Sequence, residues 1–220
     1  MRRPPVRVLV VDDSAFARKV VREVLSSAEI DVVGTARDGL EALELIATLK
    51  PDVMTLDLMM PNLDGLGVLK ALPAEGAPRV VVVSISGSDS ALGIEALLSG
   101  AVDIVQKPTA LATDRLYELG AELRAKVIAA ATARALAGAV GVAAPVSEPT
   151  PVAEASASGS YVDIVVVGTS TGGPQALTRL LSGLPKDFPA AIGIALHIPD
   201  GYTQGLAHRL AARGPLLVKE

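Results

Sequence analysis

The chain has 220 residues, of which 50% are hydrophobic and only 2% are aromatic, and its formal net charge is −4 at pH 7. An acidic chain without a cluster of Lys and Arg on a predicted helix lacks the electrostatic attraction that drives nucleic-acid binding, so DNA is not an expected partner. The absence of cysteine excludes disulfides, thiolate nucleophiles and zinc–sulfur sites, and it is compatible with a reducing cytoplasm.

The sequence predicts neither an export signal nor a membrane span. The N-terminal apolar stretch Val6–Val11 is too short for a signal peptide and leads directly into two aspartates. The Ala-rich region Val127–Val146 is interrupted by an arginine, two glycines and a proline, which leaves it short of a lipid-facing span of about 20 residues. We therefore expect a cytoplasmic protein without membrane insertion.

The first part of the chain alternates short Val/Ile-rich runs with longer segments of helical period, a pattern typical of a parallel sheet covered by helices. The predicted strands are Val6–Val11, Ile30–Thr35, Val53–Leu56, Arg79–Ile85 and Val102–Val105. The predicted helices follow Ser14, Asp38, Gly65, Ser88 and Thr113. We expect an α/β domain over residues 1–137, with a doubly wound, five-stranded parallel sheet.

A second α/β pattern follows a linker. Residues 138–160 are mainly Ala, Val, Pro, Ser, Gly and Glu, a composition that favours a semi-flexible connection. The elements predicted beyond it are the strand Val162–Val167, a helix from Pro174 to about Ser182, the strand Ala190–Leu196, a helix over Thr203–Ala212 and a third strand at Leu216–Val218. We expect residues 161–220 to be the start of a Rossmann-like domain, truncated at its third strand.

Charged side chains follow three strands of the first predicted sheet. Asp12 and Asp13 come after the first strand, Asp57 after the third and Lys107 after the fifth. Because the carboxyl ends of these strands share one edge, we expect the side chains to converge there. Three carboxylates would repel one another, so a bound Mg²⁺, which prefers oxygen ligands, is the natural resolution.

The hydroxyl of Ser84, near the end of the fourth predicted strand, completes a site suited to phosphoryl transfer. Together with the charged residues, it describes a carboxylate that accepts a phosphoryl group. The alternative for each acid taken singly is a helix cap or a turn residue.

This part of the chain, from Val6 to about Arg134, resembles the receiver domain of two-component response regulators. The motifs that carry the resemblance are Val-Asp-Asp-Ser at Val11–Ser14, Leu56-Asp57-Leu58-Met59-Met60-Pro61, Asp64-Gly65, Ser84 and Lys107-Pro108. It implies that Asp57 is the phosphoacceptor and that Ser84 and Lys107 contact the phosphoryl group. The Mg²⁺ ligands that it implies are Asp12, Asp13, Asp57 and the backbone carbonyl of Met59.

The same resemblance carries one further implication and one departure. It implies a cis peptide between Lys107 and Pro108. Ile104 departs from the family pattern, because this position is often aromatic in receivers and takes part in their switch. We expect phosphorylation to survive that change, with a different signalling rearrangement.

The second part of the chain contains Gly168-Thr169-Ser170-Thr171-Gly172, which fits the pattern Gly-x-Ser-x-Gly at a strand-to-helix corner. A serine at such a corner is exposed beside helix N–H groups that stabilise an oxyanion. The pattern alone also fits a tight turn or a phosphate-binding glycine loop. His197 ends the next predicted strand and therefore lies at the same edge, where a general base is needed. Taken alone it also fits a hydrogen-bonded core or rim residue, and His208, inside a predicted helix, is expected at the surface.

A third, acidic residue is expected to orient the imidazole. Asp187 precedes the second strand of this part, at the wrong end of the sheet. Asp200 is at the right end and is the alternative candidate, but it follows His197 by only three residues, in a Pro-Asp-Gly turn. We therefore expect the acid downstream of Glu220.

The run from Val165 to Leu210 is similar to the catalytic domain of chemotaxis protein-glutamate methylesterases. The matching motifs are Gly168–Pro174, Leu184-Pro185, Phe188-Pro189, His197-Ile198-Pro199 and Tyr202-Thr203. A receiver followed by a linker and this domain is that family's arrangement. The resemblance implies a serine hydrolase of the methylesterase and glutamine deamidase type, with Ser170 as nucleophile, His197 as base and no cofactor for the esterase reaction.

The resemblance implies a role in chemotaxis. The enzyme would demethylate chemoreceptor glutamates after a histidine kinase phosphorylates Asp57, because the unphosphorylated receiver covers the catalytic cleft. The alternative is a phosphorylatable receiver with an inactive esterase part that serves as a phosphate sink or docking module, since residues 161–220 bury little surface and leave a sheet edge open. A transcription-factor output is disfavoured because the second part has no basic recognition helix.

Overall fold

The computed structural model describes residues 4–73, 75–85, 90–107, 113–139 and 162–220. Strands and helices alternate through the first part of the chain. The elements are β1 (Val6–Val11), α1 (Ala15–Leu25), β2 (Ile30–Ala36), α2 (Gly39–Leu49), β3 (Val53–Leu56), α3 (Gly65–Ala71), β4 (Arg79–Ile85), α4 (Ser90–Leu98), β5 (Asp103–Lys107) and α5 (Thr113–Ala139). The five strands are parallel and lie in the order β2-β1-β3-β4-β5, which confirms the predicted doubly wound sheet.

Both faces of this sheet are buried, which explains why its strands are runs of Val, Ile and Leu rather than alternating sequences. One face packs Leu9, Met54 and Val82 into a core shared with α2, α3 and α4. The other face packs Val8 and Val81 into a second core shared with α1 and α5. Successive residues of one strand therefore serve two cores, as the two-residue period of a strand requires.

Helices α1, α2 and α3 are each preceded by an N-cap residue whose side chain accepts a backbone hydrogen bond. Ser14, Asp38 and Asp64 each accept a bond from the N–H three residues later, and so satisfy one of the free donors at the helix start. The third helix was expected to follow Gly65, but Gly65 is its first residue and Asp64 is its cap. The caps fix where each strand-to-helix turn ends.

The fifth strand is longer at its carboxyl end than the sequence indicated. It was predicted over Val102–Val105, whereas β5 pairs with β4 as far as Lys107, which lies opposite Ile85. Lys107 is therefore the last residue of a strand rather than part of the following loop. Ladder pairing with β4 extends β5 past its apolar run, a tertiary effect that hydrophobicity alone does not reveal.

The second part of the chain forms a smaller parallel sheet. Its elements are β6 (Ile164–Thr169), α6 (Gly173–Gly183), β7 (Ala191–Leu196) and α7 (Thr203–Ala211), with β6 paired to β7. Both helices pack on one face through Leu177, Leu181, Leu206 and Leu210. The first strand begins two residues later than predicted because its ladder starts where Ile164 pairs with Ala191.

The predicted third strand at Leu216–Val218 is not formed, so that prediction is wrong. Leu216 and Val218 pack against the apolar cluster of α6 and α7, but they have no strand conformation and do not pair with β6 or β7. An apolar run becomes a strand only where another backbone supplies hydrogen-bond partners. Here its side chains cover the cluster instead.

The two parts of the chain are in contact along α4, against which both α6 and α7 pack. Gln175 Nε2 donates to the Leu97 carbonyl over 3.1 Å and also contacts the Ala101 carbonyl. The Leu97 carbonyl lies in the last turn of α4 and also accepts a bond from the Gly100 N–H over 3.4 Å, whereas Ala101 lies beyond the helix. The second part of the chain thus caps a helix of the first.

Helix α5 ends at Ala139, two residues beyond the predicted receiver boundary at 137. The remainder of the predicted linker lies outside the described residues. None of the helices in the described ranges combines the length and hydropathy of a transmembrane segment.

Candidate phosphoacceptor and nucleophile sites

The first candidate site lies at the carboxyl edge of the five-stranded sheet. The structure brings the carboxylates of Asp12, Asp13 and Asp57 together, with ligand oxygens all within 4.8 Å of one another. Asp12 and Asp57 are only 2% and 6% exposed, whereas Asp13 is exposed. The convergence follows from topology, because β1 and β3 are parallel neighbours and Asp57 N–H donates to the Val11 carbonyl over 3.0 Å.

Lys107 bridges two of these carboxylates. Its Nζ lies 2.6 Å from Asp12 Oδ2 and 2.7 Å from Asp57 Oδ2. Burial alone would lower the pKa of Lys107, but the hydrogen bonds and charges of Asp12 and Asp57 outweigh it and raise the pKa above its usual value. Lys107 therefore carries a positive charge at neutral pH.

Asp57 itself has a raised pKa. Its burial disfavours the charged form and is the largest influence, and the hydrogen bond from Lys107 opposes that effect without cancelling it. Solvent therefore stabilises the charge of the Asp57 carboxylate less than that of an exposed one, and Lys107 compensates in part.

Ser84 lies on β4, one residue before the strand ends, and its side chain is 1% exposed. Its Oγ has no hydrogen-bond partner among the residues that the structure describes. A buried hydroxyl without a partner costs free energy, which a phosphoryl oxygen placed within reach would offset. The side chain of Met59 is 59% exposed, and its N–H lies 3.5 Å from Asp57 Oδ1.

The three carboxylates fit a hard divalent cation. They offer only oxygen ligands, two of them buried, and they lie close enough together to share one ion. Mg²⁺ typically uses one or two carboxylates and keeps several waters, so the exposed Asp13 suits the solvent side of such a site. The cis peptide expected before Pro108 lies outside the described residues.

The second candidate site lies at the carboxyl ends of β6 and β7. Ser170 and His197 directly follow Thr169 and Leu196, which are paired in the ladder. The His197 N–H continues that ladder by donating to the Thr169 carbonyl over 3.1 Å. Both Ser170 and His197 are exposed, and both stand at the same edge of the sheet, as the sequence predicted.

The turn that carries Ser170 is bent by glycine. Gly172 has φ +81°, a left-handed conformation that favours glycine, and it caps the start of α6 without a side chain. The Gly173 N–H donates to the Ser170 carbonyl over 2.7 Å, which closes the turn. A methyl group at Gly173 would collide with Thr169 and Leu196, so the helix can approach the two strand ends only because residue 173 has no side chain.

The turn over residues 169–173, here named the nucleophile turn after the candidate nucleophile Ser170, is docked on the start of β5 and the residue before it. The sequence did not predict this relationship. The Gly172 N–H donates to the Val102 carbonyl over 2.7 Å. Thr171 Oγ1 lies 2.6 Å from Asp103 Oδ2. One N–H group at the start of α6 and the hydroxyl next to Ser170 are thus occupied by groups of the first sheet.

A buried ammonium group holds Asp103 in place. Lys126, on α5, is 4% exposed and its Nζ lies 2.9 Å from Asp103 Oδ1, 2.9 Å from Glu122 Oε1 and 2.7 Å from the Ile104 carbonyl. The only sequence signals for this network are the i,i+4 spacing of Glu122 and Lys126 and an acidic residue next to an apolar run. Neither signal points to a partner elsewhere in the chain.

The structure places the two acids that were considered for orienting the imidazole in different loops. Asp187 is exposed in the turn before β7, at the opposite end of that strand from His197. Asp200 is exposed in the loop between β7 and α7. His208 is exposed on α7, as expected for a surface residue.

Comparison with known families finds a match for each of the two parts of the chain. Residues 8–118, just over half of the chain, match the family model of the response regulator receiver domain. The chain belongs to the response regulator receiver family. Residues 165–220 of this response regulator match the family model of CheB methylesterase.

Two curated relatives align with nearly the whole length of this response regulator. It is 63% identical to protein-glutamate methylesterase/protein-glutamine glutaminase 5 of Myxococcus xanthus, over 98% of its own length and 62% of the relative's. It is 41% identical to the protein-glutamate methylesterase/protein-glutamine glutaminase of Thermotoga maritima, over 98% of its own length and 61% of the relative's. The chain thus spans about three fifths of the length of these relatives.

A solved structure supports the fold of the receiver. The crystal structure of the response regulator domain of Thermotoga maritima CheB aligns with a TM-score of 0.53 and 43% sequence identity. The alignment covers 58% of this chain and 97% of that domain. The five-stranded part of this response regulator is therefore a receiver domain.

Proposed function

We propose that this chain acts in chemotaxis adaptation as a phosphorylation-regulated protein-glutamate methylesterase and glutamine deamidase in the cytoplasm. Its phosphodonor would be a chemotaxis histidine kinase and its substrates methylated chemoreceptors. The observation that carries the proposal is the juxtaposition of Ser170 and His197, which follow paired residues at the ends of two parallel strands. The names of the two relatives describe the same reactions.

In the receiver, Asp57 is the proposed phosphoacceptor. One of its carboxylate oxygens attacks the phosphorus of the donor, an acyl phosphate forms, and the bond to the donor's leaving group breaks. Lys107, already 2.7 Å from Asp57 Oδ2, and the Ser84 hydroxyl would contact the new phosphoryl oxygens. Mg²⁺ held by Asp12, Asp13, Asp57 and the Met59 carbonyl would supply neutralisation of the charge that accumulates during transfer.

In the second part, Ser170 Oγ would attack the ester carbonyl of a methylated glutamate while His197 accepts its proton. The tetrahedral intermediate expels methanol, which takes the proton back from His197, and an acyl-enzyme remains. Water then attacks the acyl-enzyme, with His197 again moving the proton, to release the glutamate and free Ser170. With a glutamine side chain the leaving group is ammonia, and the product is again glutamate.

The docked turn supports regulation of this chemistry by the receiver. Val102 and Asp103 accept hydrogen bonds from Gly172 and Thr171, beside Ser170. Ser170 is exposed in this arrangement, so a receiver that stays docked there would restrict the approach of a protein substrate to this edge without covering the serine itself. Phosphorylation of Asp57 would relieve the restriction by weakening the docking.

The test is methanol release from methylated chemoreceptors, with and without a small phosphodonor and Mg²⁺. Ser170→Ala should abolish release and Asp57→Asn should abolish its stimulation. Ser182→Ala, at an exposed serine of α6, and Asp31→Asn, at an exposed aspartate of β2, are the matched controls and should leave release unchanged. Release that persists in Ser170→Ala would contradict the esterase assignment.

The same experiment distinguishes the proposed esterase from a second candidate function, a phosphorylatable receiver without esterase activity. If Asp57 takes up phosphate but no methanol appears, the chain is a phosphorylatable receiver whose esterase part is inactive. The position of Asp187, at the opposite end of β7 from His197, favours that outcome, because an orienting acid supports the imidazole of a serine triad. Loss of that acid reduces turnover by about 10⁴ in a serine protease, so a sensitive assay is required.

A further inference from the structure

Tyr202 belongs to the second part of the chain, yet its side chain lies in the core of the receiver. It is 1% exposed and lies in the same apolar cluster as Ile94, Leu97 and Ile104 of α4 and β5. It is among the largest fully buried side chains of the described residues. A buried aromatic ring is held more firmly than an exposed one, because moving it would open a cavity.

The helices α4 and α7 are shaped to accept one another at two glycines. A methyl group on Gly93 of α4 would lie 2.5 Å from Cε1 and 3.0 Å from the hydroxyl oxygen of Tyr202. A methyl group on Gly205 of α7 would lie closer still to Ile94 Cδ1. Tyr202, directly before α7, and Ile94 of α4 thus each lie where the facing helix has no side chain, so the two helices interlock at these glycines.

Tyr202 is also close in sequence to the proposed base. It follows His197 by five residues, in the loop that joins β7 to α7. Ile198, directly after His197, packs against both the receiver core and the cluster of α6 and α7. The loop is thus anchored at one end by the ladder bond of His197 and at the other by the ring of Tyr202.

On the receiver side, strand β5 connects the surroundings of the Tyr202 ring to the proposed phosphoacceptor site. Ile104, which shares the space beside Gly93 with Tyr202, is three residues before Lys107 on β5. Lys107 is the residue that contacts Asp57. A change in the partners of Lys107 that moves β5 or α4 must therefore alter the site where the ring is held.

We infer that Tyr202 is a positioning residue for His197 and that its ring, anchored between Gly93 and Ile104, transmits the state of Asp57 to the imidazole. The inference rests on the proposed roles of Asp57 and His197. This mechanism differs from one in which the receiver only blocks access to Ser170. It predicts that the state of Asp57 alters His197 even when no substrate is present. A coupling of this kind is reciprocal, so changes at the ring also alter binding at Asp57.

The chain has only two histidines, which makes the test direct. In the 220-residue chain with isotope-labelled histidine, the NMR signals of His197 and His208 can be followed as beryllofluoride and Mg²⁺, a stable stand-in for a phosphoryl group, are added. We expect the His197 signals to shift and those of His208 to stay. Tyr202→Ala should abolish the His197 shift, and Tyr202→Phe, which keeps the ring, should retain it.

A comparison of two glycine variants without beryllofluoride tests the inference even if Tyr202→Ala does not fold. Gly93→Ala, made in the receiver, should displace the ring and shift the His197 signals, whereas Gly183→Ala, which meets no atom within 4 Å, should not. Unshifted His197 signals in Gly93→Ala would overturn the inference. So would a His197 response in Tyr202→Ala equal to that of the unaltered chain.

Failure of the proposed phosphoacceptor and failure of the inference about Tyr202 would give different results. Backbone amide signals around Asp57 that stay unchanged on adding beryllofluoride and Mg²⁺ would contradict the proposed phosphoacceptor, and Gly93→Ala would still test the role of Tyr202. Amide signals that move while His197 does not would overturn the inference and leave the phosphoacceptor in place.

Discussion

Thr171 Oγ1 lies 2.6 Å from Asp103 Oδ2, so the residue after the proposed nucleophile is bonded to the first residue of β5 in the other sheet. Asp103 is 5% exposed, which places this bond in an environment where water competes weakly. This bond, its neighbour from Gly172 to Val102 and the bonds from Gln175 to the Leu97 and Ala101 carbonyls are polar contacts between the two parts of the chain.

Removing the hydroxyl of this pair should loosen the nucleophile turn. In Thr171→Val, a buried carboxylate oxygen loses its donor, a loss of about 1–3 kcal/mol, so we expect amide exchange over residues 169–177 to rise about 5- to 150-fold. The measurement is hydrogen exchange by mass spectrometry. Thr178→Val, which removes a hydroxyl bonded within α6 to the Pro174 carbonyl, is the matched control. Equal exchange in the two variants would show that the Thr171 bond does not hold the turn.

Lys126→Met should destabilise the receiver strongly. It leaves the Asp103 carboxylate buried without its cation, which typically costs about 3–5 kcal/mol. Urea denaturation measures the loss, and Lys19→Met, at a lysine whose ion pair is 73% and 67% exposed, should cost at most about 1 kcal/mol.

We expect Lys126→Met to be destabilising because it leaves the negative charge of Asp103 unpaired. A double variant tests this explanation. Asp103→Asn combined with Lys126→Met removes both charges of the pair and should cost less than Lys126→Met alone. A double variant as unstable as the sum of its single changes would mean that the two residues act independently.

Gly173→Ala should disturb the strand ends that carry Ser170 and His197. The added methyl group would overlap Thr169 Oγ1 and lie 2.6 Å from Leu196 Cδ1, and overpacking of this kind typically costs about 1–3 kcal/mol. Gly183→Ala, at the other end of α6, meets no atom and should be neutral or slightly stabilising. Urea denaturation of the two variants tests the difference, and similar midpoints would contradict it.

Asp57→Asn should stabilise the chain at neutral pH when Mg²⁺ is absent. Burial raises the pKa of Asp57 above its ordinary 3.8, so the folded state holds this proton more tightly than the unfolded state. The favourable contribution of Asp57 is complete below pH 3.8 and is lost as the pH rises through the raised pKa. Asparagine does not ionise, so the variant does not lose this contribution. The variant should therefore be more stable than the unaltered chain at neutral pH, and the difference should disappear below pH 3.8.

Urea denaturation from pH 3 to pH 7 without Mg²⁺ measures this effect, with Asp31→Asn as the exposed control. Added Mg²⁺ should stabilise the unaltered chain more than Asp57→Asn, since the variant lacks one ligand charge. A variant less stable than the unaltered chain at neutral pH would contradict the prediction.

The receiver could be predicted from the sequence nearly to the residue. Strands β1, β3 and β4 have the predicted bounds, because unbroken Val/Ile runs are typical of strands buried on both faces. The convergence of Asp12, Asp13 and Asp57 followed from parallel topology alone. The expected strand at Leu216–Val218 failed because local hydrophobicity does not supply a backbone partner.

The contacts between the two parts could not be predicted in the same way. Thr171 and Asp103 are 68 residues apart, and each taken alone is an ordinary polar residue near a strand end. Tyr202 was noted only as part of a motif, with nothing in the local pattern to place it in the receiver core.

The sequence by itself determined the elements of both sheets and the edges at which the reactive residues stand, because alternation, caps and glycine turns act between residues close in the chain. Only the tertiary structure decided that β5 holds the nucleophile turn and that Gly93 receives Tyr202. Those contacts depend on how two separately formed surfaces match in shape and charge, a property that no short stretch of sequence contains.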